Sequence, residues 1–232
     1  MQNHLAVPAK ILISFLARHR GERLVEAAKA VGARGGTLAL GQSLAGSRVL
    51  QALSLADIQQ DVVFTVMGGE GPAVVAAIKS AAEADPKRLS GMAVLLDVPE
   101  LFIRKSGQNP PETLSEETRS SKMESGYKMI TVIVNAGFAD DVMAEARKAG
   151  ATGGTIINAR GTGTEEDVKF FGICLVPEKE MLLIVAPAGK VQPIVESVAK
   201  VPTLSEPGGG VVFSMNVEEF ILLGQQKTWN KE

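Results

Sequence analysis

Apolar and polar positions change their period repeatedly along this chain, and each change marks the edge of an element. The runs ILISFLA, VVFTVM, MAVLL, MITVIV, TIIN, MLLIVA and VVFSM are short, rich in β-branched residues and bounded by turn residues, so they predict strands. Leu24, Val25, Ala28 and Val31 recur at helical spacing, as do Val142, Met143, Ala146 and Ala149, which predicts two helices with one apolar stripe each. Gly32 and Gly150 stand where these helices must stop, in a left-handed conformation that glycine enters without steric cost. Asp140-Asp141, at the start of the later helix, reads as N-terminal capping and dipole compensation.

The pattern occurs twice. Ile11 to Gln42 lies over Met129 to Arg160 without a gap, so that Gly32-Ala33-x-Gly35-Gly36-Thr37 falls on Gly150-Ala151-x-Gly153-Gly154-Thr155. Further on, VVFTVMGGEGPAVVAAIKSA from Val62 resembles MLLIVAPAGKVQPIVESVAK from Met181, and AVLLDVPEL resembles VVFSMNVEEF. A shared glycine turn inside a shared hydrophobic frame points to duplication. Each copy reads strand, helix, strand, long connection, strand, helix, strand. The expected fold is therefore α+β: two tandem ferredoxin-like (βαββαβ) domains, antiparallel four-stranded sheets with helices on one face. The first domain spans residues 9–103 and the second 127–223, with a linker over 104–126 that is rich in Pro, Ser, Glu and Gly. Ser115-Glu116-Glu117 is placed to cap a short helix within it. A helix-free sheet face needs a cover, so the pattern also predicts an oligomer.

Composition narrows the function classes. Hydrophobic residues make up 45% of the 232 and charged residues 22%, an ordinary soluble balance, while aromatics at 4% leave the cores to aliphatic residues. A net charge of -2 with no basic block disfavours nucleic acid. No apolar run reaches membrane-span length, and the N-terminal MQNHLAVPAKILISFLARHR reads as a first strand, not a signal peptide. Cys174 is the single cysteine, within FFGICLV; it reads as a buried small hydrophobe, with a reactive thiol as the alternative. A lone thiol excludes an internal disulfide and fits a reducing, cytoplasmic setting.

His4 and His19 are the only histidines, and no nucleophile–base or metal-ligand spacing can be assembled from them, so an enzyme is not expected. No Walker-type motif occurs. Glu165-Glu166-Asp167 reads as a solvated acidic loop before it reads as a cation site. Leu50, Leu53 and Leu55 have near-helical spacing and suit a packing helix or a partner-docking element. Trp229, in a C-terminal tail, suits packing on a neighbouring surface.

The second copy resembles the P-II nitrogen regulatory family over nearly all its length. The likeness is carried by Leu175-Val176-Pro177-Glu178-Lys179-Glu180-Met181-Leu182-Leu183, by Gly161-Thr162-Gly163, by Gly208-Gly209-Gly210-Val211-Val212-Phe213, and by Val217-Glu218-Glu219. The first copy keeps the pattern but has Ser43-Leu44-Ala45 where the second has Gly161-Thr162-Gly163. The resemblance implies a trimeric ring of ferredoxin-like units, or a pseudo-hexameric arrangement of domains in a tandem chain. It also implies small ligands between units, usually adenine nucleotides (ATP, ADP, AMP or a cyclic nucleotide), and a mobile loop that docks on a transporter or enzyme.

Glycine turns expose backbone N–H groups that can cradle an anion. Arg160, Gly161, Thr162, Gly163 and Thr164 form one expected wall of a ligand site, with Gly208, Gly209 and Gly210 the other; the alternative is a loop base and a tight connection without a ligand. Arg160 offers a charge-assisted contact to phosphate or carboxylate. The chain departs from the family where a lysine follows the Gly-x-Gly turn, here Val211, and in showing Ser205-Glu206 and Phe220-Ile221-Leu222 in place of basic residues. A triphosphate wants such partners. Their loss favours AMP, a cyclic nucleotide, a carboxylate or bicarbonate. The loop Gly161 to Lys169 also reads as shorter than the family's, and it has no tyrosine for modification. The expected function is a P-II-like sensor that regulates a partner; the alternatives are a ligand-free structural adaptor and a weak nucleotide hydrolase.

Overall fold

The two hydrophobic periods resolve into one element order, twice over. The computed structural model describes residues 4–33, 36–45, 57–104, 125–160, 169–170, 173–174, 178–205 and 209–224. The first copy runs β1 (His4–Ala17), α1 (Gly21–Lys29), β2 (Thr37–Ala45), β3 (Asp57–Met67), α2 (Gly71–Ala84) and β4 (Gly91–Arg104). The second runs β5 (Tyr127–Asn135), α3 (Ala139–Lys148) and β6 (Gly153–Arg160), then a small hairpin of β7 (Lys169–Phe170) and β8 (Ile173–Cys174). It continues with β9 (Glu178–Pro187), α4 (Ala188–Val198), the single turn α5 (Pro202–Ser205) and β10 (Gly210–Val217); β11 (Glu219–Leu223) follows. This is the doubled βαββαβ order with antiparallel sheets.

The chain divides into two compact units, one of residues 1–39, 60–125 and 216–232, the other of 40–59 and 126–215. In the first, β1 lies between β3 and β4, antiparallel to both, and β11 pairs with β4 from Glu219 opposite Leu95 to Leu223 opposite Gly91. Leu12, Leu16, Val63, Met67, Ala93 and Leu95 of this sheet are buried with Leu24 and Ala28 of α1 and Val74, Ile78 and Ala82 of α2. Ile221 and Leu223 of β11 join the same core. Two ion pairs, Lys10 with Glu218 and Lys79 with Glu219, flank that strand.

In the second unit the sheet order is β10-β5-β9-β6, the fourth-first-third-second order of a ferredoxin-like sheet, and residues 41–45 of β2 pair antiparallel with β6. Ile130, Val132 and Val134 of β5 and Leu182, Ile184 and Ala186 of β9 pack under Val142, Met143 and Ala146 of α3 and Val191, Ile194 and Val198 of α4. Burying an aliphatic side chain of this kind contributes about 1.5–3 kcal/mol.

The turn chemistry matches the sequence closely. Gly32 and Gly150 adopt φ of 105° and 102°, the left-handed stop expected of them. The apolar stripe of α1 is one residue shorter than its spacing suggests, because the helix ends at Lys29 and Val31 falls in the following turn, 39% exposed. The sheet faces turned away from the helices do not stand open: Ile13, Phe15, Val94, Met129 and Leu183 are all buried in the single chain. The expected leucine segment Leu50, Leu53 and Leu55, the linker around Ser115-Glu116-Glu117, the side chains of His4 and Cys174, and Trp229 lie outside the described residues.

Candidate functional site

The site is built at one end of the second sheet, where β5 and β6 finish and β9 begins. Register fixes the arrangement: Asn135 and Ala159 flank Lys179, and Arg160 stands opposite Glu178. An open cleft of about 720 Å³ lies here, lined by Ala136, Asn158, Ala159, Arg160, Glu178, Lys179 and Glu180. Two lining side chains are already engaged. Lys179 donates to Asn135 Oδ1 at 2.6 Å, and Glu180 Oε2 accepts the N–H of Ala139 at 3.0 Å. Glu180 thus occupies the start of α3, where the sequence pointed to Asp140 and Asp141; the two aspartates lie in the first turn, facing the positive end of the helix dipole.

The Arg160 side chain has no hydrogen-bond partner among the described residues. It is exposed, and no ion pair ties it among the described residues, although Glu178 faces it in register. The cleft therefore presents Arg160 and Lys179 against Glu178 and Glu180, a balance of charge. The lining therefore offers a polyphosphate no excess of positive charge.

Of the expected wall residues, Gly161, Thr162, Gly163, Thr164 and Gly208 lie outside the described residues, as does Glu165-Glu166-Asp167. Gly209 and Gly210 are described, at the entry to β10. A Cβ on Gly210 would come within 2.5 Å of Ile133 O and 2.6 Å of Leu204 Cδ2, so close packing alone demands glycine there. β5 and β9 separate β10 from β6. Gly210 and Arg160 thus share an end of the sheet but stand about 14 Å apart at a strand spacing of about 4.8 Å. The connection from the second to the third strand differs from the sequence reading. It runs from Gly161 to Pro177, not to Lys169, because Lys169–Phe170 and Ile173–Cys174 pair with each other and leave the main sheet to resume at Glu178. Glu218 and Glu219 are also placed elsewhere, engaged with Lys10 and Lys79 of the first unit.

Sequence reasoning missed the roles of Glu180 and Lys179. The signal was in the repeat itself. With Val62 over Met181, Asp61 falls on Glu180, and Asp61 Oδ2 accepts the N–H groups of Arg20 and Gly21 at 2.8 Å each, at the start of α1. An acid one residue before the third apolar run thus serves the first helix in both copies. Among the described residues, no group of three or more His, Cys, Asp and Glu could hold a metal ion, and no helix is long and apolar enough to cross a membrane.

Residues 127–227, the second copy, match the family model for nitrogen regulatory protein P-II. No curated protein matches the chain. Among solved structures, the chain is similar to the Bacillus subtilis GlnK–ATP complex at 21% identity and a TM-score of 0.33, over 41% of this chain and 85% of that one. It is similar to CPII, a P-II-like protein from Thiomonas intermedia K12 bound to ADP, AMP and bicarbonate, at 21% identity and a TM-score of 0.31, over 43% of this chain and 94% of that one. A protein from Galdieria sulphuraria matches over 92% of this chain and 99% of its own, at 14% identity and a TM-score of 0.30. At these scores the likenesses assign no residue a role.

Proposed function

We propose that the chain is a ligand-sensing regulator of P-II type, whose second domain binds a small molecule at the strand ends around Arg160. Occupancy would be passed to a protein partner through the connection from Gly161 to Pro177. The observation that carries the reading is the coincidence of the P-II match over residues 127–227 with a cleft at the base of that connection whose exposed Arg160 has no ion pair among the described residues. The ligand class is an adenine nucleotide of low charge, AMP or a cyclic nucleotide, or a small anion such as bicarbonate. The balanced lining and the absence of a lysine at Val211 support this class over ATP. The partner is a transporter or metabolic enzyme, regulation rather than catalysis is the output, and the working form is oligomeric.

A thermal-shift screen of the full chain against ATP, ADP, AMP, cyclic AMP, 2-oxoglutarate and bicarbonate tests this. A ligand at about 100 times its dissociation constant stabilises by about 2.7 kcal/mol. The expected result is a shift with AMP, cyclic AMP or bicarbonate that Arg160→Ala removes while leaving the unliganded transition in place. A shift with none of them overturns the sensor reading, and a shift that Arg160→Ala leaves intact overturns the site.

A further inference from the structure

We propose, resting on the ligand-sensing reading of this cleft, that Glu178 decides which ligands it accepts: its carboxylate competes with a ligand anion for Arg160 and so discriminates against polyphosphates. The strand period divides the cleft by face. Ile156 of β6 pairs with Leu182 of β9, both in the core under α3 and α4. Two residues further along each strand Asn158 pairs with Glu180, and two beyond that Arg160 pairs with Glu178. Side chains two apart on a strand share a face. Arg160, Glu178 and Glu180 thus lie on the helix side of the sheet, in agreement with the bond from the Ala139 N–H to Glu180. Lys179, opposite Asn135 and bonded to it, belongs to the other face. The cleft is balanced in sum, yet its helix side sets one cation against two acids.

Of those two acids Glu178 is the uncommitted one. Glu180 is held at the start of α3, whereas the Glu178 side chain is exposed and has no hydrogen bond or ion pair among the described residues. Its backbone is fixed from two sides, by the pairing with Arg160 and by the Ala136 N–H, which donates to the Glu178 carbonyl at 3.1 Å. Directly opposite residues of an antiparallel pair have Cβ atoms about 4.5–5.5 Å apart. An anion on the Arg160 guanidinium therefore sits beside the Glu178 carboxylate. Each negative charge brought to that place loses about tenfold in affinity at a protein surface. A small anion or a single phosphate meets this opposition at one group, a chain of phosphates at several. Neutralising Glu178 leaves Arg160 and Lys179 against Glu180 alone, an excess of positive charge.

The test measures the dissociation constants of ATP and AMP for the full chain and for Glu178→Gln, Glu178→Ser and Glu178→Asp, at low and at high salt. Both neutral variants are expected to bind ATP about tenfold tighter than the parent, and AMP by a smaller factor, so that the ratio of the two constants moves toward ATP. Added salt should shrink the gain, because the side chain is exposed. Glu178→Asp keeps the charge and should keep the parent's ratio, which separates charge from shape. Adding Arg160→Ala to Glu178→Gln should abolish the gain. Tighter ATP binding by the neutral variants supports the role of Glu178 whether or not the parent takes AMP. An unchanged ratio in a chain that binds AMP overturns that role and leaves the sensor standing. Binding of neither nucleotide by any variant overturns it as well, as does a gain that survives Arg160→Ala.

Discussion

His19 and Gly137 occupy the same place in the two copies, one turn before the first helix, and both have positive φ, 64° and 91°. The second copy meets that demand with glycine; the first forces it on a histidine, a conformation that costs an L-residue about 1–2 kcal/mol. His19→Gly should therefore leave the protein as stable or raise its unfolding free energy by up to about 1 kcal/mol, the relief being offset in part by the freer unfolded chain. Gly137→Ala should lower stability by about 1 kcal/mol. Urea unfolding of the two variants checks both signs. The acids of the repeat give a second contrast. Asp61 is 3% exposed and accepts two N–H groups, while Glu180 is half-buried and accepts one. Asp61→Ala should cost about 1–3 kcal/mol, and Glu180→Ala measurably less. Gly32 and Gly150 could be read from the sequence because a helix stop leaves its mark in residue type. Glu180 could not be read from its own segment, because its acceptor role depends on the distance between β9 and α3; only its alignment with Asp61 in the repeat marks it.

At the scale of elements, α3 and α4 are joined by a polar staple whose strength depends on pH. Ser197 on α4 donates to the backbone carbonyl of Glu145 at 3.0 Å, and Lys148 pairs with the Glu145 carboxylate. The Lys148 hydrogen bond, more than any other contact, holds the Glu145 carboxyl below its ordinary 4.5, with Ser197 assisting. A carboxyl depressed in the folded state stabilises above its unfolded value, and that stabilisation is lost as pH falls through the folded value. Below about pH 4.5 the parent should therefore lose stability more steeply than Glu145→Gln, and added salt should narrow the gap because the pair is exposed. Unfolding midpoints taken down the acid range decide it. Strand and helix identities were legible here, since the periods are long and clean. The extent of the Gly161–Pro177 connection was not, because KFFGIC has the apolar character of a sheet strand and nothing local shows that it folds onto itself.

At the scale of the whole molecule, the duplication visible in the sequence and the compact units of the structure partition the chain differently at its end. Repeat matching assigns residues 127–223 to the second copy, yet residues from 216 onward cluster with the first unit. The physical cause is β11. Ile221 is 5% exposed and Leu223 is 1% exposed, both within the first unit's core, and Glu218 and Glu219 pair with Lys10 and Lys79 beside them. The run EFILL carries no mark of the sheet it joins, so this placement lay beyond sequence pattern. It has a measurable consequence. Ending the chain after Val217 removes two buried aliphatic side chains, each costing about 2–5 kcal/mol when truncated to alanine in place. The loss falls on the unit that contains β1 and β4, while Ile130, Ile184 and Ile194 of the second core are untouched. Limited proteolysis of the shortened chain should therefore cut first within the first unit and leave a resistant fragment that includes β5 to β9. A parent-like cleavage pattern would show that β11 is dispensable to the first core. Resistance lost equally across both units would show that they unfold as one.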